Sequence, residues 1–144
     1  MYMLFAVAAG AGIAFQAVIN ARLRVVVQSA IWAALIQTFA GLLMLGTIAL
    51  IAREGPPMAV AAGRVPWWVW TGGLLGATYV VVSIVATAPL GAGLMISSVI
   101  VGQTLTALLI DHYGWLGVEV QRLTATRAIG AALLVAGVLL IRLR

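Results

Sequence analysis

The sequence contains no cysteine and no lysine, only three acidic residues and a single histidine. The missing cysteines exclude disulfides, iron–sulfur clusters and thiolate-bound zinc. Charge is scarce as well: 8% of residues are charged, where about a quarter is usual for a soluble chain. So little charge cannot cover a water-facing surface. What fills the sequence instead is apolar side chain, 65% of 144 residues, with a mean hydropathy of +1.20. Lipid is the solvent this composition fits. Enzyme signatures are missing too. There is no glycine-rich phosphate loop after a strand, no metal-ligand spacing built on histidine, and no nucleophile with a base nearby. No enzymatic activity, cofactor or metal is expected.

The net charge of +5 would suggest nucleic acid in a soluble protein. Here the eight basic residues are all arginine, standing singly or in close pairs between apolar runs. They read as topology markers, and no nucleic-acid partner is expected. The N-terminus carries no basic region before its apolar run, so it does not read as a cleaved signal peptide.

Five apolar runs are long enough to cross a bilayer, which takes about 20 residues. They cover 2–21, 29–52, 66–88, 91–110 and 124–141. The expected fold is an all-α membrane protein, one domain over 1–144 with five transmembrane helices. Pro66 suits a first helical turn. Trp67, Trp68 and Trp70 follow as an aromatic belt. Pro89, Gly91 and Gly93 break the chain between the third and fourth helices, and so short a link predicts an antiparallel hairpin. Thr124 or Thr126 can cap the fifth helix. The longest connection, 53–65, begins with a Pro56–Pro57 interruption that argues against helix. Sixteen glycines, some four apart as at Gly72 and Gly76, suggest helices packed by close backbone approach.

Five spans would put the termini on opposite sides. Arg22, Arg24, Arg142 and Arg144 then fall on one side, and Arg53, Arg64, Arg122 and Arg127 on the other. The bias that sets orientation is zero. One reading is chance in a short chain. The other is a chain that inserts both ways and pairs with an inverted copy of itself. Inverted repeats around a midplane site are a common transporter plan. This chain supplies one such unit, so an antiparallel homodimer would supply two.

Polar side chains in hydrocarbon should face the bundle interior or a wet cavity. Gln16 and Asn20, four apart, share a face of the first helix. Gln37 lies in the second. Thr71, Thr78, Tyr79 and Ser83 lie in the third, and Ser97, Ser98, Gln103, Thr104 and Thr106 in the fourth. Hydroxyls at such positions commonly bond back to their own helix. A carboxamide offers donor and acceptor together, suiting either an interhelical bond or a neutral or zwitterionic ligand. The candidate substrate-binding set is Gln16, Asn20, Gln103, Ser97 and Tyr79, with Trp32 as an aromatic wall. No acid lies mid-helix. Asp111 stands at a helix end, where the dipole disfavours an anion, so it needs a partner: Arg127 or Arg122. That pair reads as an interfacial ion pair, with a coupling role as the alternative. Gln103 and Asp111 are eight apart, about 80° beyond two full turns, so they occupy neighbouring rather than identical faces. His112 reads as an interfacial residue.

Four segments together resemble the YdcZ-like family of the drug/metabolite transporter superfamily: "GIAFQAVINARL" at 12–23, "WWVWTGGLLGATYV" at 67–80, "APLGAG" at 88–93 and "VGQTLTALLIDHYG" at 101–114. The resemblance spans nearly the whole chain. It implies a five-helix half-transporter in the bacterial inner membrane, a transport role, and antiparallel homodimers among single-domain members. Small multidrug resistance proteins are more distant relatives by analogy. Their membrane-embedded glutamate has no counterpart here, where the first helix carries only Gln16, so proton-coupled export of hydrophobic cations is not implied.

The expected function is therefore a small transporter. It moves a polar or amphipathic molecule by alternating access, with membrane lipids and its own inverted copy as partners. Three alternatives stand beside it: a lipid-headgroup flippase, which needs a polar groove open to lipid; a non-transporting membrane partner of another protein; and an ion channel, which needs a continuous polar file.

Overall fold

The computed structural model describes residues 1–55 and 66–143. The Pro56–Pro57 interruption and the markers Arg64 and Arg144 lie outside the described residues. Among those described, regular structure is helical throughout: α1 (Tyr2–Val27), α2 (Ala30–Ile51), α3 (Thr71–Tyr113) and α4 (Ala125–Arg142), with 3₁₀ turns at Trp67–Trp70 and Trp115–Gly117.

Among the described residues, four helices, where five runs were expected, are long and apolar enough to cross a membrane. The difference lies in α3, where the third and fourth runs join in one 43-residue element. At about 1.5 Å per residue that is roughly 65 Å, twice the ~30 Å hydrocarbon thickness. It is not one uniform helix. Gly91 has φ 76 and ψ 158, a region essentially closed to any residue with a Cβ, and Pro89 precedes it by two positions. The predicted break is real, but helix resumes directly after it.

α1 also exceeds its apolar run. Arg22 and Arg24 are good helix formers, so the hydrogen-bonded helix continues to Val27 and ends where Gln28 turns left-handed at φ 54. Ser29 then caps α2, its Oγ accepting from the Trp32 amide at 3.3 Å. Thr124 caps α4 in the same way, accepting from the Arg127 amide at 3.3 Å.

The chain forms two compact units, Met1–Pro89 and Leu90–Arg144. In the first, Ala33, Ala34 and Ile84 form the core, with Leu23, Val27, Ala30, Val80 and Val81 against them. Ala33 is fully covered. Alanines on α2 let α1 and the first half of α3 come close, which is the means of helix association where lipid removes the hydrophobic drive. The glycines do not act this way. A Cβ added at Gly12, Gly72 or Gly76 would meet nothing within 4 Å. Those faces lie open rather than packed within the chain.

In the second unit, the latter half of α3 ends at Gly114, which is left-handed at φ 64 and serves as a helix C-cap. A Cβ there would come within 2.6 Å of Val120 Cγ2, so no other residue fits without movement. The following segment returns along the helix end, with the Gln121 amide donating to the Asp111 carbonyl at 2.8 Å.

Candidate functional site

Polar side chains gather in the first unit where α1, α2 and the first half of α3 meet. Asn20 is 6% exposed, and its Nδ2 donates to Gln37 Oε1 at 3.2 Å. The four-residue spacing of Gln16 and Asn20 puts both on the face that meets α3. There they line a small hollow with Ile13, Ala17, Tyr79, Val80, Ser83 and Ile84. Its volume is about 10 Å³, the space of about one water. No charged side chain lines it.

The hydroxyls around it are turned inward to their own helix. Ser83 donates to the Tyr79 carbonyl at 2.7 Å and Thr87 to the Ser83 carbonyl at 2.7 Å. Thr78 does likewise, as do Ser97 and Ser98 within the second unit, each to the residue four before it, as their chemistry suggested. A hydroxyl that spends its donor this way can still accept, but it does not bridge helices. In this cluster the carboxamides make the interhelical link.

Of the six proposed substrate contacts, Gln16, Asn20 and Tyr79 share this hollow. Trp32 is not among its walls; it sits in the first turn of α2 with 62% of its surface exposed. Gln103 and Ser97 belong to the second unit. Gln103 is exposed, and Ser97 lines a hollow of about 200 Å³ with Ile100, Val101 and residues of α4. Gln37 and Ser83 belong to the first cluster although neither was in the proposed set. Gln37 stood out as the one carboxamide of its helix, but its pairing depends on how α2 is rotated against α1, which no local pattern reveals.

The ion pair forms with Arg127: its Nη1 lies 3.5 Å from Asp111 Oδ2, with both side chains about one-third exposed. Arg127 also donates to the Gln121 side chain and to its carbonyl at 3.4 Å. His112 is tied to the same segment, its Nδ1 accepting from the Leu123 amide at 3.0 Å. Helix end and returning chain are thus clamped through Asp111, His112 and Arg127. Beside them, the second half of α3 and α4 line a larger, partly open pocket of about 560 Å³. Its signal in the sequence was a matched spacing, leucines at 105, 108 and 109 and small residues at 128, 131 and 132, which was not singled out.

No solved structure matches this chain. The inner membrane protein YdcZ of Escherichia coli (strain K12) is 27% identical over 142 residues, 99% of this chain and 95% of that protein. A family model described as "Putative inner membrane exporter, YdcZ" matches residues 1–140. With helices of transmembrane length and that match over nearly its whole length, the chain is a multi-pass inner-membrane protein and belongs to the YdcZ inner membrane exporter family.

Proposed function

We propose that the protein exports a polar or amphipathic small molecule by alternating access, as an antiparallel homodimer of five-span subunits. The observation that carries this reading is an uncharged carboxamide cluster in an apolar bundle: buried Asn20 bonded to half-buried Gln37, with Gln16 and Tyr79 lining the same hollow as Asn20. Buried polar groups in a membrane bundle mark a site or a structural lock. A hollow of about 10 Å³ suits the closed state of a site that opens alternately to either side. Five spans follow if the two halves of α3 each cross, since the whole is about twice the bilayer core in length. The open glycine faces of α1 and α3 support a second copy, because small residues without a neighbour are what close helix approach uses.

The flippase alternative calls for a polar groove open sideways. The polar hollow is too small for a headgroup, and the larger pocket is lined mostly by apolar side chains with His112 and Tyr113 at one end, which favours the exporter.

Two experiments test the reading. Untargeted mass spectrometry of the medium would compare cells making wild type, Gln16→Ala and Asn20→Ala at equal membrane levels. At least one compound released by wild type should fall several-fold with both variants; equal release would place the site elsewhere. For orientation, Gly55→Cys gives this cysteine-free chain one exposed thiol. About half should react with an impermeant reagent in intact cells if the chain inserts both ways. Complete or absent labelling would rule out the antiparallel dimer.

A further inference from the structure

The pocket of about 560 Å³ in the second unit lies within the roughly 300–1,000 Å³ range of small-molecule sites. One wall is Leu105, Leu108, Leu109 and His112; the other is Ala128, Ala131, Ala132 and Val135. Both sets follow the i, i+3, i+4, i+7 spacing of a single helix face. The alanines are too short to reach the leucines. Helices in lipid associate by direct van der Waals contact, and an empty gap forfeits that attraction. Something therefore fills this space in the membrane.

Its dimensions choose the occupant. From Leu105 to His112 the wall runs roughly 10 Å, about a third of the ~30 Å trough that a second transmembrane helix would need. Leu123, drawn in by the bond from its amide to His112 Nδ1, helps line the pocket beside His112. The space is a short groove, open along one side, and it suits the body of a small molecule.

One end is polar. His112 lies near the C-terminus of α3, and its neighbour Tyr113 stacks on Trp115 at 5.3 Å, an aromatic pair of the kind found at membrane interfaces. Because Nδ1 accepts a hydrogen bond, the neutral ring carries its proton on Nε2. Nε2 has no partner among the described residues. The acid at this end, Asp111, is already paired with Arg127, so it is not free to draw in a cation. The polar groups left at this end, His112 Nε2 and the hydroxyl of Tyr113, which also lines the pocket, can both donate.

We propose that this pocket binds a single-tailed amphipathic small molecule. Its apolar body lies between the leucine and alanine walls, and an oxygen of its head, carboxylate or phosphate, accepts from His112 Nε2. The proposal concerns binding, and it holds whether or not the bound molecule is the exported one.

The test uses the full-length protein in phospholipid nanodiscs with two photoprobes: a diazirine-bearing fatty acid and the matching diazirine alkane without a head. Peptide mapping should place both labels on 105–113 and 123–135. Ala128→Leu/Ala132→Leu fills the pocket from its exposed alanines and should cut both labels at least fivefold. His112→Leu should lower fatty-acid labelling at least threefold while leaving the alkane label unchanged, and His112→Gln, which keeps a donor, should restore much of it. Far-UV circular dichroism and monodispersity confirm folding of each variant, and Ala132→Leu alone serves if the double variant fails. Labels elsewhere, or labelling of the filled variants at the wild-type level, would overturn the proposal. So would failure of excess unlabelled fatty acid to compete with the fatty-acid label in this phospholipid bilayer.

Discussion

Replacing Asn20 with alanine removes the one side-chain hydrogen bond described between α1 and α2. Because Asn20 is 6% exposed, its loss leaves the Gln37 carboxamide without its partner in an apolar setting. An unmet polar group of this kind costs about 1–3 kcal/mol. Gln37 is only half-buried and its Oε1 can turn toward other donors, which places the expected loss near the lower end. Gln37→Ala should cost a similar amount. The double variant should then be less damaging than the two losses combined, because the bond is lost only once. Interhelical hydrogen bonds in membranes give couplings of about 0.6 kcal/mol on average and up to about 1.7. The assay is unfolding by sodium dodecyl sulfate in mixed micelles, followed by far-UV circular dichroism for the wild type and the three variants. A coupling below about 0.3 kcal/mol, under the average for such pairs, would refute the carboxamide pair as a link between α1 and α2.

Three further outcomes follow. Gly114→Ala should destabilise by about 1–3 kcal/mol, from its left-handed backbone and the approach to Val120 Cγ2; adding Val120→Ala should recover part of the loss in the same titration. Gly91→Ala should cost a comparable ~1–3 kcal/mol, since φ 76 with ψ 158 suits glycine alone, and an unchanged midpoint would mean that the backbone there adapts freely. Asp111→Asn should cost less than about 1 kcal/mol, as befits an ion pair that is about one-third exposed and screened by solvent; a loss above about 3 kcal/mol would mark a buried pair instead.

The spans were legible because hydropathy reports the length of chain that lipid can hold. Their exact ends were less so. Hydropathy stops at the charged Arg22, but helix hydrogen bonds do not, and α1 goes on to Val27. Pro89 and Gly91 announced a break at the right residues. They did not reveal that helix would resume at once, because a single positive φ redirects a chain without needing a loop. Gln16 and Asn20 were readable as a pair from their spacing alone. Their partner Gln37 was not, since its rotation is set by Ala33 and Ala34 against neighbouring helices. Trp32, an aromatic near a helix start, lies exposed and apart from the hollow that Gln16, Asn20 and Tyr79 share, a placement its own position in the sequence does not reveal. The number of glycines suggested internal packing that the open space beside Gly12, Gly72 and Gly76 does not provide.

That open space has a practical consequence. Among the described residues, the few buried apolar side chains are Ala33, Ala34 and Ile84 of one small core, with Ala17, Met95 and Ala131 outside it. Most of the large apolar side chains therefore take their packing partners from the surrounding amphiphile. Any melting temperature or half-life measured after extraction belongs to protein and detergent jointly, because whatever binds the folded form shifts its apparent stability by mass action. Variants of this protein are comparable only in the same amphiphile at the same concentration, and a change of detergent amounts to a substitution at many positions at once.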